Sequence, residues 1–307
     1  MYRYAVTLLA LCVFAIGASS AQSMAPIDRM RLVVLGTGTP NADPDRSGPA
    51  LAIVKGERSY LFDAGPGIVR RAAAASRQHS LVALEASRLD TMFLTHLHSD
   101  HTLGLPDVMF SPWVLERTAP LALYGPPGTT RMARALQSAY RDDVRMRLDG
   151  GEPSNRTGWR TNATDIRRAG VVMERDGVRV EAIPVLHGTW THAFGYRVSD
   201  GTTTIVISGD ARPSPALREA ARGADILAHE VYSTHRFSTR PPEWQRYHSS
   251  FHTSTRELAA IANETRPALV VLYHQLYWGA TDEDLVAEMR EFGYAGAVVS
   301  ARDLEMY

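Results

Sequence analysis

The chain has 307 residues, of which 45% are hydrophobic and 21% are charged, a composition typical of a globular protein with a sizeable core. Its 33 basic residues balance its 33 acidic residues. Because nucleic-acid-binding domains usually carry a basic excess, this charge gives no support for a nucleic-acid partner. The composition shows no abrupt change after the N-terminal segment, so the sequence predicts a single domain there.

The N-terminal segment has the features of an export signal. Arg3 precedes an apolar run that reaches Ile16, and small residues around Ala21 fit a signal-peptidase cleavage site. The run is shorter than the roughly 20 apolar residues of a membrane span. Residues 1–21 are therefore interpreted as a signal peptide. We expect a mature domain of residues 22–307, periplasmic or secreted, without a stable membrane anchor.

The only cysteine, Cys12, lies inside this segment. The bulky Leu11 precedes it where a lipoprotein signal requires a small residue, so lipid attachment is not expected. Removal of residues 1–21 leaves a chain without cysteine, which cannot form disulfides although export would permit them. Metal ligands in the mature domain are then nitrogen and oxygen atoms, never sulfur.

Strands and helices are expected to alternate along the chain. In the first half, the apolar pattern predicts strands at residues 31–37, 50–62, 91–95 and 121–124, and helices at residues 68–76, 104–114 and 129–141. In the second half, it predicts strands at residues 178–185, 193–198, 203–208, 225–229, 268–273 and 297–299, and helices at residues 215–221, 253–263 and 282–292. The polar stretch 148–168 is interpreted as a long loop. Two β-rich halves with outer helices predict an α/β fold, a four-layer αββα sandwich.

A dense group of potential metal ligands follows the strand predicted at residues 91–95. His96, His98, Asp100 and His101 lie within six residues of loop. A bent loop can turn such side chains toward one point, at the distance of about 2.0–2.2 Å that a metal requires. The alternative, scattered polar loop residues, explains poorly why three of the eleven histidines fall together.

Three further candidates, His187, Asp210 and His274, each follow a predicted strand. Binding residues commonly lie at such positions. Taken singly, each is explained equally well as an ordinary loop histidine or a helix-capping aspartate. Together with the four residues of the loop, they make a set of seven nitrogen and oxygen donors.

The order of these residues resembles the ligand set of the metallo-β-lactamase superfamily. Segments resembling its tRNase Z branch and arylsulfatase-like relatives cover about residues 31–304, and include LGTGTP (35–40), FDAG (62–65), HTLGLP (101–106), PLALYGP (120–126), FGYRV (194–198) and HEVY (229–232). The resemblance implies two zinc ions per chain. Manganese or iron can occupy the same nitrogen and oxygen ligands, because selectivity often follows availability. The resemblance assigns one ion to His96, His98 and His187, the second to Asp100, His101 and His274, and a bridging role to Asp210. Asp63 is expected to orient a ligand histidine.

The same resemblance implies a catalytic set of Asp100, Glu230 and His252. In the tRNase Z branch, a glutamate and a histidine in corresponding segments handle protons together, and a carboxylate that orients an imidazole can make it a general acid. The alternative is that His252 merely precedes the cap of a helix that starts near Thr253. The nearby His248 is not expected to be the catalytic histidine.

The chain departs from tRNase Z enzymes at two places. Those enzymes carry a long arm that holds tRNA, whereas here only a short turn at residues 199–201 separates the corresponding strands. The Ser/Arg-rich signature after the last histidine is replaced by QLYWG. In this segment Tyr277 and Trp278 either line the mouth of the site or belong to the core.

The sequence therefore predicts an exported binuclear zinc hydrolase of a small phosphodiester or sulfate ester, with no nucleic-acid partner. A lactonase or β-lactamase is the alternative, because the same metal centre can attack a carbonyl. Processing of tRNA 3′ ends ranks lower because the arm is missing. A non-catalytic binding protein is disfavoured by the intact ligand set. A homodimer remains open.

Overall fold

The computed structural model describes residues 29–307. The segment interpreted as a signal peptide lies outside the described residues, as does Cys12. The domain boundary after Ala21 therefore stays a prediction. Within the described part of the chain, no helix is long and apolar enough to cross a membrane.

Two β-sheets form the centre of the fold. The first contains β1 (Arg31–Gly36), β2 (Ala50–Lys55), β3 (Arg58–Phe62), β4 (Thr91–Phe93), β5 (Leu121–Gly125) and β6 (Thr161–Asp165). The second contains β7 (Gly170–Arg175), β8 (Val178–Pro184), β9 (Phe194–Ser199), β10 (Thr204–Ile207), β11 (Ile226–Tyr232), β12 (Leu269–Leu276) and β13 (Val298–Ser300). In each sheet, neighbouring strands follow the order of the chain.

Helices cover the outer faces of both sheets. They are α1 (Ile68–His79), α2 (Leu105–Val114), α3 (Thr129–Ala139), α4 (Arg141–Asp149), α5 (Pro215–Ala220), α6 (Thr234–Phe237), α7 (Pro242–Phe251), α8 (Thr255–Thr265) and α9 (Asp282–Glu291). Buried residues of α1 to α4 share a core with the first sheet, and those of α5, α8 and α9 share one with the second. A third core lies between the sheets. The predicted αββα sandwich is confirmed.

Strand β1 shows why the sequence forms these layers. Leu32 and Val34 belong to the core between the sheets, while Val33 and Leu35 belong to the core under the helices. Successive side chains of a strand point to opposite faces. A strand covered on both faces is therefore apolar throughout, as RLVVLG is.

Aromatic side chains join the two sheets next to the histidine-rich loop. The rings of Phe62 and Phe93 are stacked at 5.1 Å, and the ring of Tyr196 from the second sheet lies 5.4 Å and 5.5 Å from them. The Tyr196 hydroxyl donates a hydrogen bond of 2.6 Å to the backbone carbonyl of Leu94. The loop after β4 is thereby anchored to both sheets.

The topology places the carboxyl ends of several strands at one edge of the sandwich. Strands β3 to β6 run parallel in the first sheet, and β10 to β13 run parallel in the second. The segments that follow β4, β8 and β10 carry candidate ligands. Crevices outside the carboxyl ends of parallel strands are the usual ligand sites of open α/β sheets.

Several predicted elements differ from the observed ones. The strand predicted at residues 50–62 is the hairpin β2–β3, which turns at Gly56 with a φ of 54°. The helix predicted at residues 129–141 is divided at Tyr140 into α3 and α4. The loop predicted at residues 148–168 contains β6, whose polar sequence TNATD pairs with β5 at the sheet edge. Propensity alone misses an edge strand of this composition.

Asp200 forms the tight turn between β9 and β10. Its Oδ1 accepts hydrogen bonds from the backbone N–H groups of Thr202 (2.9 Å) and Thr203 (2.8 Å). Its Oδ2 lies 3.2 Å from Nζ of Lys55, at the end of β2 in the other sheet. Burial opposes ionisation of Asp200, but the hydrogen bonds from Thr203 and Thr202 outweigh it and lower the pKa to about 2.

We expect Asp200→Asn to lower the free energy of unfolding by about 1.5–3 kcal/mol near neutral pH, because it removes charge-assisted hydrogen bonds. Since the folded-state pKa of Asp200 lies below the ordinary aspartate value, its stabilisation is present above about pH 4 and is lost as the pH falls toward about 2. Denaturant unfolding should show that the difference in unfolding free energy between wild type and Asp200→Asn becomes smaller from about pH 7 to about pH 3. Asp149→Asn, at an exposed site, is the control. A pH-independent difference would contradict the assignment.

Candidate metal centre

The histidine-rich loop bends around one buried carboxylate. Asp63 follows β3 with a φ of 60°. Its Oδ1 accepts a hydrogen bond of 2.8 Å from the backbone N–H of Thr95, and its Oδ2 accepts one of 2.9 Å from the Thr95 hydroxyl. Nδ1 of His101 lies 2.8 Å from the same Oδ2. Since a carboxylate accepts, His101 donates from Nδ1, which leaves Nε2 as the nitrogen that can bind a metal once it is deprotonated. Asp63 thus contacts a predicted ligand histidine, as expected.

Three histidines form the first half of the cluster. Nδ1 of His98 lies 2.9 Å from Nε2 of His96 and 3.2 Å from Nε2 of His187. Nδ1 of His96 is 2.9 Å from the hydroxyl of Thr95, which has donated its own proton and therefore accepts. Nδ1 of His187 donates to the backbone carbonyl of Phe251 at 2.9 Å. In His96 and His187, Nε2 therefore carries the lone pair.

Asp100, His101 and His274 form the second half, and Asp210 lies between the halves. Oδ2 of Asp100 is 3.4 Å from Nε2 of His101 and 3.3 Å from Nε2 of His274. The oxygens of Asp210 are 3.3 Å and 3.6 Å from the same two nitrogens. A donor atom of Asp210 also lies within 4.8 Å of those of the three-histidine half. The structure thus brings all seven predicted ligands together.

The donor chemistry of the cluster fits divalent metal ions. Within residues 29–307, the buried atoms Nε2 of His101 and Oδ1 of Asp210 have no hydrogen-bond partner. Burial lowers the pKa of His187 to about 4, so its imidazole offers a lone pair. Burial opposes ionisation of Asp210, but His274 and His101 outweigh it and hold its pKa well below the usual value. Imidazole nitrogen beside ionised carboxylate suits zinc, manganese and iron. Burial opposes protonation of His101, but Asp210 and Asp63 outweigh it and raise its pKa well above the usual value, so metal binding at this residue releases a proton.

The hydrogen bond between Trp190 and His98 requires His98 to carry its proton on Nδ1, as it can only without a metal at that nitrogen. The indole N–H of Trp190 donates to Nε2 of His98 at 2.9 Å, so the proton of a neutral His98 is on Nδ1. A metal bound at Nδ1 requires that proton to be on Nε2, which then cannot accept from Trp190. Metal binding through Nδ1 of His98 is therefore incompatible with this hydrogen bond.

Glu230 and His252 lie beside the cluster. Nδ1 of His252 is 3.4 Å from Oε1 of Glu230 and 3.9 Å from Oδ2 of Asp210. Oε1 of Glu230 accepts from the backbone N–H groups of Ala211 at 3.2 Å and Thr253 at 3.0 Å. Burial and the nearby Asp210 raise the pKa of Glu230 well above its usual value, and burial lowers that of His252 to about 4.

His252 and the cap of the following helix are separate features. Ser254 caps α8 in a reciprocal capping box with Glu257. His252 ends α7 with extended backbone, and its side chain is buried. A donor atom of its ring lies within 4.8 Å of donor atoms of Asp210 and His274. Capping therefore does not account for His252, which has access to the cluster.

An open cleft of about 500 Å³ leads to the cluster. It is lined by Pro40, Asn41, His98, Asp100, Asp210, Arg240, Trp244, Tyr247, His248, His252, His274, Leu276 and Trp278. Larger clefts of about 650 and 800 Å³ lie elsewhere and contain none of the seven clustered ligands. The donor groups, rather than size, identify this cleft as the candidate site.

The Beta-lactamase superfamily domain matches residues 58–275 by its sequence profile. The chain belongs to the metallo-β-lactamase superfamily. Ribonuclease Z of Mycobacterium bovis (strain BCG / Pasteur 1173P2) is 34% identical over 248 residues, which cover 80% of this chain and 85% of the relative. Ribonuclease Z of Mycobacterium avium (strain 104) is 34% identical over 283 residues, which cover 90% and 96%. The metallo-β-lactamase fold protein YhfI from Bacillus subtilis superposes with a TM-score of 0.68 at 17% identity, covering 91% and 98%.

This membership confirms the predicted superfamily and its hydrolase class. The chain is a metallo-β-lactamase-superfamily hydrolase with a His/Asp cluster that can bind metal. The sequence relatives are ribonucleases by name, so the comparisons do not support the expectation of no nucleic-acid partner.

Glu230 and His274 lie inside strands rather than after them. Strand β11 continues through Tyr232 and β12 through Leu276, so Glu230 and His274 are in paired strands. His274 has a φ of 47°, and the register between the two strands shifts beside it. A bulge of this kind adds one residue and re-aims a side chain. The expectation that His274 follows a strand was wrong for this reason.

The two aromatic residues after His274 have different environments. Trp278 lines the cleft. The Tyr277 hydroxyl instead donates to Asp282, and the guanidinium of Arg46 lies 4.8 Å from the centre of its ring. Trp278 therefore belongs to the mouth of the site, and Tyr277 to the packing beneath it.

Four residues of the cleft were missed from the sequence: Asn41, Arg240, Trp244 and Tyr247. A signal for two of them was present. Trp244, Tyr247, His248 and Phe251 are spaced by three or four residues directly before His252, which is the period of one helix face. No helix was predicted there, because the segment begins with two prolines and is mostly polar.

We expect about two zinc equivalents per chain in protein from zinc-containing medium, and less than about one in Asp210→Ala, because Asp210 contacts both halves of the cluster. Elemental analysis measures the content. His248→Ala, a histidine of the same cleft outside the seven ligands, should keep the full content. Circular dichroism confirms that each variant folds. Full metal content in Asp210→Ala would contradict the shared role.

Proposed function

We propose that the chain is a binuclear metal-dependent hydrolase that cleaves phosphodiesters. The observation that carries the proposal is the convergence of seven histidine and aspartate donors beside an open cleft. We assign one zinc ion to the three-histidine half and one to the half formed by Asp100, His101 and His274, with Asp210 shared between them. Bound cations at these donors supply Lewis acidity and an activated water.

His252 is the catalytic residue that we assign to the leaving group. Its ring lines the cleft, and Glu230 positions it through the 3.4 Å contact between Nδ1 and Oε1. Glu230 is itself held by two backbone N–H groups. An alkoxide leaves a phosphodiester more readily when a positioned side chain delivers a proton to it. Because burial lowers the pKa of His252 to about 4 in the free protein, we assign its protonation to the complex, in which the negative charge of the bound phosphodiester raises that pKa. This pair therefore supports a substrate whose leaving group must take up a proton. Lactones and β-lactams meet that condition too, so the preference for a phosphodiester over them rests on the relatives.

The relatives support a phosphodiester rather than a sulfate ester. They are named ribonuclease Z, and ribonucleases act on the phosphodiester bonds of RNA. Their name also makes tRNA 3′ processing the second candidate function. Against it, the turn between β9 and β10 comprises residues 200–203, which leaves no room for a tRNA-binding arm there. The balanced charge likewise gives little affinity for a polyanion. A small phosphodiester is therefore our first candidate.

Export is part of the proposal. A signal peptide at residues 1–21 would bring the enzyme to substrates outside the cytoplasm, away from precursor tRNA. N-terminal sequencing of protein recovered from the periplasm or medium tests this, and an intact Met1 in the cytoplasm would contradict it.

We expect the metal-loaded protein to hydrolyse small chromogenic phosphodiesters and to leave precursor tRNA unprocessed at physiological salt. Aryl sulfate, lactone and cephalosporin substrates in parallel assays test the other classes. A tRNA 3′ processing enzyme assayed on the same precursor is the positive control. Site-specific removal of the 3′ trailer at a comparable rate would make the second candidate correct.

We expect His252→Ala to slow alkyl phosphodiesters by about 10²–10⁴-fold, the typical contribution of general acid catalysis. Nitrophenyl diesters should lose much less, because nitrophenolate leaves without a proton. Glu230→Gln should show the same selectivity more weakly, and both variants should retain their metal. His235→Ala, an exposed histidine outside the cleft, is the control and should not change the ratio between the two substrate types. Equal losses for both types would assign His252 a structural role.

A further inference from the structure

The outer part of the cleft is formed by side chains for which the proposed chemistry has no role. Three of them, Trp244 and Tyr247 of α7 and Trp278 after β12, we call the aromatic wall. Trp244 is 46% exposed and Tyr247 is 38% exposed. The imidazole of His248 connects the two sides, with ring centres 5.6 Å from Trp244 and 4.6 Å from Trp278. Exposed aromatic residues clustered beside a reactive centre are typical of a binding surface.

Arg240 lines the same cleft and presents its guanidinium without an ionic partner. The guanidinium carbon lies 5.4 Å from the centre of the Trp278 ring, which restricts the orientation of the planar group. Within residues 29–307, Nε is buried without a hydrogen-bond partner, and no carboxylate lies within 4.0 Å of the guanidinium. Arg46, by contrast, pairs with Asp282 at 3.1 Å. An arginine without a carboxylate partner, inside a cleft, is suited to bind an anion.

We propose that Arg240 and the aromatic wall recognise a phosphodiester that carries a planar aromatic group, either a simple aryl group or a nucleobase. Arg240 donates to the non-bridging phosphate oxygens, and the aromatic group packs against Trp244 and Tyr247. The inference rests on the proposed function, because the phosphodiester reacts at the adjacent cluster. A cleft of about 500 Å³ accommodates one ligand of this size.

Three phosphodiesters separate the two contacts in steady-state kinetics of the metal-loaded protein: methyl para-nitrophenyl phosphate, a thymidine para-nitrophenyl phosphodiester and dimethyl phosphate. Arg240→Gln should raise KM about 10- to 100-fold for all three, since it removes charge-assisted hydrogen bonds. Trp244→Ala should raise KM about 5- to 100-fold for the two aromatic diesters, since it removes a stacking partner, and leave dimethyl phosphate unaffected. In both variants kcat should change little.

Two further variants serve as controls. Arg246→Gln removes a positive charge from α7 at a position outside the cleft, so it should leave KM unchanged. Arg240→Lys keeps the charge but loses the planar fork, and should recover only part of the affinity. If KM is lower for the thymidine diester than for methyl para-nitrophenyl phosphate, and Trp244→Ala abolishes this difference, the aromatic group is a nucleobase. If KM is instead lower for methyl para-nitrophenyl phosphate, the aromatic group is a simple aryl group.

Failure of this inference can be distinguished from failure of the proposed function. If phosphodiesters are hydrolysed but KM is unchanged in Arg240→Gln and Trp244→Ala, the recognition site is refuted while the function stands. If the wild type hydrolyses none of them, the function fails, and calorimetry with phenyl phosphate decides the inference. Binding about 10-fold weaker in Arg240→Gln than in the wild type supports it. Equal binding, or none, overturns it.

Discussion

The metal cluster depends on the hydrogen bonds accepted by the Asp63 carboxylate. Those bonds fix the backbone of Thr95, the ring of His101 directly and the ring of His96 through the Thr95 hydroxyl. One buried acceptor thus selects the tautomer of a histidine in each half of the cluster. A buried carboxylate is costly unless its oxygens are satisfied. Here they are satisfied by the same groups that they orient, so the fold and the ligand geometry stabilise each other.

The fold and the ligand set were largely predictable, because both depend on local patterns. Fully buried strands such as β1 read as continuous apolar runs, and four of the seven ligands lie within six residues. The errors arose where tertiary contacts override such patterns. Strand β6 is polar yet pairs at a sheet edge, and the bulge at His274 depends on the register between β11 and β12. Helix α7 was missed because its segment begins with two prolines and is mostly polar, so its sequence shows no apolar face of the kind that packs on a core.

The sequence relatives and this chain share a scaffold whose specificity lies in segments added to it. The ligand cluster is built from loops at the ends of buried strands and from the bulge at His274 inside β12, which leaves little freedom for change. The turn of residues 200–203 and the segment from Arg240 to Phe251 lie outside that cluster. Each bears on the choice of substrate in its own way. The first offers no arm for a large substrate. The second adds an arginine and exposed aromatic rings beside the metal ligands, which together suit a small anionic ester.

Helix α7 connects that recognition surface to the reacting centre. Trp244 and Tyr247 project from it into the cleft, the backbone carbonyl of Phe251 accepts from His187, and His252 ends it. A helix of ten residues moves essentially as one rod, because each turn is hydrogen-bonded to the next. A substrate packed against α7 therefore contacts the same helix that fixes the tautomer of His187 and the position of His252, the proposed proton donor. The mouth of the cleft and the cluster are therefore held at a fixed distance by one helix, so a substrate bound at the mouth is placed at the reacting centre, as the positioning of a reacting bond requires.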